Sequence, residues 1–166
     1  MKAWGQVTPS IQPTPLSVIQ NLDQQKSHMK TILINCLAVI IGLVLGSIVN
    51  MALVVAGPHV FPPPVGVDMS DAKSLAAGVH LLAPKHFLFP YLAHALGTLA
   101  GALATHLAAS TRRSALAYVV GILFLVGGIA AASMIPAPAW FITLDLLVAY
   151  LPMAWLGARL GRGIRA

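Results

Sequence analysis

Apolar residues run along this chain in four long blocks, at 31–56, 87–109, 115–135 and 140–160, separated by shorter polar stretches. Each block has twenty or more residues, enough for a helix rising ~1.5 Å per residue to cross a hydrocarbon core ~30 Å thick. Alternation of apolar and polar positions over ten-residue segments, the mark of a membrane barrel, is absent. A helix satisfies its own backbone groups where water cannot. The pattern therefore predicts an all-α integral membrane protein. Its expected form is a four-helix transmembrane bundle with an outer loop carrying a short interfacial helix. Residues 1–30 read as a polar cytoplasmic segment containing Pro9, Pro13 and Pro15, residues 31–160 as the membrane domain, and 161–166 as a basic cytoplasmic tail. The first apolar block is too long for the core of a secretory signal.

Within the blocks, small and polar residues recur at helical spacing. Asn35, Gly42, Gly46 and Asn50 fall on one face of the first span, and His94, Thr98, Gly101 and Thr105 on one face of the second. Gly157 and Gly161 repeat the four-residue spacing in the last. Small residues let helix backbones approach closely in lipid, where burial of apolar surface gives no drive. Such faces serve contacts within one subunit or between copies. The connections at 110–114 and 136–138 are short and make the spans they join antiparallel neighbours.

The long connection, 57–86, is the outer loop. Phe61 is followed by Pro62, Pro63 and Pro64, a sequence that favours stiff, extended backbone. Ser70 is placed to cap a short helix from Asp71, on which Leu75, Val79 and Leu82 share a face and which Pro84 ends. A segment this short cannot span, so it lies on the outer surface or folds over the bundle.

Composition agrees with a membrane chain: 58% of residues are hydrophobic and 8% are charged, against roughly 25% charged in soluble domains. Ten Lys and Arg outweigh four acidic residues, for a net charge of +6. These cations are scattered between apolar blocks and form no continuous basic face, which argues against nucleic acid as a partner. They sort by side: Lys2, Lys26, Lys30, Arg112, Arg113, Arg159, Arg162 and Arg165 on one, Lys73 and Lys85 on the other. By the positive-inside rule both termini face the cytoplasm, in a cell's inner (plasma) membrane. The single cysteine, Cys36, excludes an internal disulfide.

Candidate chemistry lies in the few polar residues inside spans. Asp145 is the one acidic residue in the four blocks, and a carboxylate at mid-span costs roughly 2.5–3.5 kcal/mol on insertion scales. Counting 1.5 Å per residue puts Asp145 about 8 Å, Asn50 about 9 Å and His94 about 10 Å below the outer boundary. Three polar groups on three spans thus share a depth. With Thr98 they form the expected pocket, to which the loop could add His59, His80, Lys85 and His86. Pro152 cannot donate to the carbonyl of Val148 and predicts a kink near Asp145. Tyr91, Tyr118, Trp140, Tyr150 and Trp155 read as interfacial aromatic belts.

The sequence holds no nucleophile elbow, phosphate loop, dinucleotide fingerprint or redox cysteine pair. Three readings remain. The leading one is a small membrane protein, a homo-oligomer, that binds or transports a proton, a polar solute or a lipid headgroup. The second is a membrane-embedded enzyme acting on a lipid, with His94 as base or as metal ligand beside His86 and Asp145. The third is an accessory subunit of a larger membrane complex. No cofactor is identified, and the bilayer itself is the implied partner.

Overall fold

The computed structural model describes residues 14–69 and 71–165. Helix α1 spans Pro15–Val60, α2 Ala72–Gly78, α3 Leu88–Ala108, α4 Arg113–Met134, α5 Ala139–Val148 and α6 Leu151–Arg165. Short 3₁₀ turns at Val79–Leu81 and Pro84–Phe87 link α2 to α3. Four helical stretches are long and apolar enough to cross a membrane, α5 and α6 together making the fourth. Among the described residues there is no strand. The chain is thus an all-helical protein of membrane type.

The first span starts earlier than its apolar block. Thr14 caps α1 by accepting a hydrogen bond from the Ser17 amide, and Pro15 takes the first turn, where a missing N–H costs nothing. The helix then runs 46 residues, about 69 Å at 1.5 Å per residue. Residues 18–30 are exposed throughout, so this part of α1 extends beyond the bundle.

Helix α3 is the centre of the bundle, packed on α1, α4 and α6, while α1 scarcely touches α4. The core is built from small side chains: Ala93, Ala95, Ala102, Ala117, Ala154 and Ala158 are buried. Against α1 the backbones themselves meet. A Cβ at Gly101 would lie 2.7 Å from the Gly42 carbonyl oxygen, and one at Gly97 would lie 2.9 Å from that of Gly46. Only glycine allows that approach. Thr105 completes the seam by donating its hydroxyl to the Ala38 and Gly101 carbonyls at 3.2 and 2.9 Å. The glycine faces are therefore used within the chain, and on α6 Gly157 meets α3 in the same way.

The ends of the helices around the α3–α4 turn are tied by polar contacts. Asn35 accepts from the amides of Ser110 and Thr111 and donates to the Thr111 hydroxyl, fixing the α3–α4 turn to α1. That turn closes through Arg112 at φ 47°, a left-handed conformation. Arg162 of α6 donates to the Ser114 hydroxyl at 3.0 Å.

In the outer segment, Gly66 at φ +90° turns the chain after the prolines, and Val67 is buried against Gly78. The expected cap, Ser70, lies outside the described residues. Asp71 itself caps α2, its carboxylate accepting from the Ser74 amide at 2.8 Å. Pro84 does not end that helix: α2 stops at Gly78, and Pro84 opens the 3₁₀ turn that leads into α3.

Candidate functional site

The fourth span breaks between α5 and α6 at Ala149 and Tyr150, near the kink that Pro152 predicts. In an unbroken helix residues five apart point about 140° away from each other. Across the break, Tyr150 turns inward, so that its hydroxyl donates to Asp145 Oδ2 at 3.0 Å. Tyr150 is 1% exposed, the largest of the fully buried side chains among the described residues. It is thus no interfacial belt residue, as its sequence position suggested. Gly128 of α4 makes room for its hydroxyl, because a Cβ there would collide with it.

His94 approaches Asp145 from α3. Its Nδ1 lies 2.9 Å from both carboxylate oxygens, and its ring stacks on Tyr150 with centroids 5.7 Å apart. An ionised carboxylate can only accept, so with Asp145 ionised Nδ1 carries the proton and donates. Asp145 is 4% exposed, and two donors satisfy a charge that would otherwise be costly at that depth. The other ring nitrogen, Nε2, has no hydrogen-bond partner among the described residues.

Two cavities meet at His94. The larger-walled one, about 240 Å³, is lined by α1, α4 and α5 and by the outer segment, with His94 and Asp145 among its lining residues. Apart from His86 its other walls are apolar, including Val54, Phe87, Ile135, Phe141 and Leu146. Leu75, Val79 and Leu82 line it too, so the apolar face of the outer segment turns toward the bundle. The second, about 290 Å³, lies between α1 and α4 and is lined by Ser47, Asn50, Met51, Phe124, Gly127 and Tyr150, among others.

The expected residues divide accordingly. His94 and Asp145 are in contact. Asn50 reaches the site as a wall of the second cavity and packs on Gly97, but no hydrogen bond joins it to either. Thr98 is fully buried, its hydroxyl has no partner among the described residues, and it lines neither cavity. His86 lines the first cavity, yet its ring nitrogens face the carbonyls of Ala83 and Pro62 at 3.1 and 3.2 Å. It pins the proline segment and is not joined to His94. Lys85 is exposed, its ammonium 6.0 Å from the Phe61 ring centre. His59 and His80 are exposed as well. Among the described residues no three His, Cys, Asp or Glu side chains converge as metal ligands, so the set of His86, His94 and Asp145 does not assemble.

Tyr150, Ser47 and Gly128 are the site residues that spacing did not reveal. The signal for Tyr150 was its neighbour Pro152, which forbids a regular helix there. Comparison with protein families, curated proteins and solved structures finds no match for this chain.

Proposed function

We propose that this protein binds a hydroxyl-bearing lipid or similar amphiphile within the membrane, with the hydroxyl at His94 Nε2 and the chain along the apolar cavity. The observation that carries this reading is a mainly apolar cavity lined by His94, whose Nδ1 is held by a carboxylate and whose Nε2 is uncommitted. The mainly apolar walls disfavour a conducted ion or sugar-like solute. A hydroxyl both donates and accepts, so it matches Nε2 whether the ring is imidazole or imidazolium. The first cavity, at about 240 Å³, is near the lower end for small-molecule sites and suits the polar end and adjoining methylenes.

The charge asymmetry supports an orientation with both termini in the cytoplasm of a cell whose inner (plasma) membrane holds the protein. The His94 cavity then belongs to the outer leaflet.

The test is photolabelling of purified protein with a diazirine-bearing long-chain alcohol, mapped by mass spectrometry. Label on residues lining the His94 cavities, reduced at least tenfold in His94→Phe and absent with the same chain lacking the hydroxyl, is the expected result. Equal labelling by both probes overturns the reading.

A second reading has its own support in the grip of Asp145 on Nδ1. A carboxylate that fixes the tautomer of an imidazole prepares the other nitrogen to take a proton, here from the bound hydroxyl as its oxygen attacks the acyl ester of a second lipid; the ester C–O bond then breaks and the proton passes from Nε2 to the departing alkoxide. A new lipid product formed by the wild-type protein and lost in Asp145→Asn would establish this; its absence leaves binding alone.

A further inference from the structure

The cavity between α1 and α4 has a different character from the one beneath the outer segment. Met51 and Gly127, which line it, are exposed on the outer surface of the bundle. Exposed Ile48, Val126 and Ile129 lie near them in sequence on the same two helices. That surface faces lipid in a chain of this type. The two helices barely touch each other, because α1 leans on α3 through its glycine face. The crevice is thus left open by the same packing that builds the bundle.

Inside the crevice the chemistry changes over a short distance. Ser47 and Asn50 supply polar groups from one wall, and His94 and Tyr150 line the same space. Gly128 and Ala131 of α4 line both cavities, as does His94. On the other side, the outer segment supplies Met69, Leu75, Val79 and Leu82 to the first cavity. Two links hold that segment: His86 faces the Pro62 carbonyl, and Val67 is buried against Gly78.

We infer that the α1–α4 crevice is a lateral portal through which a lipid alcohol passes from the bilayer to His94, its hydroxyl handed past Ser47 and Asn50. This rests on the binding reading above and adds the route and the source: the ligand comes from the membrane, not from water outside. The polar pair matters because a hydroxyl moving through apolar surroundings loses its hydrogen bonds. Ser47, exposed at the surface, and Asn50, half-buried, line the crevice together with His94 and offer replacements.

The test uses Gly127, where a Cβ would meet open space, so that larger side chains fill the crevice without displacing a neighbour at the backbone. The full chain is reconstituted in phosphatidylcholine vesicles containing the diazirine-bearing alcohol, and the rate of labelling at the His94 cavities is followed. The series Gly127→Ala, Gly127→Leu and Gly127→Phe should slow labelling progressively, by at least tenfold for phenylalanine. Leu81→Trp, at an exposed position of the outer segment that lines neither cavity, should leave the rate within twofold of wild type. A flat Gly127 series, or a slowing confined to Leu81→Trp, overturns the lateral portal while the binding site stands. If the wild-type cavity takes no label, the binding reading itself fails. A graded series read on one scaffold also separates blockage from misfolding, since a misfolded variant loses the monodisperse elution shared by the others.

Discussion

At the scale of single residues, the site is a chain of donors ending on one carboxylate. His94 Nδ1 and the Tyr150 hydroxyl both donate to Asp145, and each would be stranded by loss of the acceptor. Replacing one partner of such a pair costs ~3–5 kcal/mol in soluble proteins, whereas membrane hydrogen bonds average ~0.6 kcal/mol. We expect Asp145→Leu and His94→Leu each to destabilise by about 1–3 kcal/mol between these limits. The double variant should be less destabilised than the sum; strict additivity in thermal unfolding in detergent would mean the pair contributes no coupling. Tyr150→Phe removes one hydrogen bond and keeps the ring, so its cost should be nearer 1 kcal/mol. The shared depth of His94 and Asp145 was legible because residues can be counted along helices, but their facing one another was not, because it depends on how the helices are rotated in the bundle. The part of Tyr150 was not, because it depends on where the helix breaks, and Pro152 locates that break only to within a turn.

The turn between α3 and α4 carries backbone strain at one residue. Arg112 holds a left-handed backbone at φ 47°, which costs an L-residue roughly 1–2 kcal/mol relative to glycine. Arg112→Gly should therefore raise stability by about 1 kcal/mol, with Arg113 keeping positive charge at that end.

At the scale of elements, the glycine seam between α1 and α3 decides the packing. Gly101→Leu must push the Gly42 backbone away and should destabilise by about 1–3 kcal/mol, as overpacking does. Gly163→Ala, in a position where a Cβ meets nothing within 4 Å, should instead stabilise α6 by up to about 1 kcal/mol through helix propensity. Similar losses from both would show that close approach is not what the seam requires. The four-residue spacing of Gly42, Gly46, Gly97 and Gly101 announced these faces, and the apolar blocks announced the spans. Hydropathy could not announce that α1 begins at Pro15, since residues 16–30 are helix-compatible but polar. Residues 18–30 of this extension are exposed, so Leu22→Ala should change stability in thermal unfolding by less than about 0.5 kcal/mol, the usual range for changes at exposed positions.

At the scale of the whole molecule, packing and chemistry divide between the two ends. The end that carries the α3–α4 turn is closed by Asn35, Arg162 and the glycine seam; the opposite end, where the fourth span breaks, holds the cavities with His94, Asp145 and Tyr150. Orientation assigns these ends to sides of the membrane. In a Cys36→Ser background, Val65→Cys should react with an impermeant maleimide from outside and Arg165→Cys only after permeabilisation; the reverse pattern would invert the orientation.

If His94 Nε2 meets the ligand hydroxyl, as we propose, ¹⁵N NMR of histidine-labelled protein in micelles will report it, with the His94 resonances assigned from His94→Gln. Added 1-decanol should shift the Nε2 resonance saturably while n-undecane leaves it in place, and Nδ1 should move little because Asp145 holds it. An Nε2 resonance unmoved by decanol, or moved equally by undecane, would contradict the account.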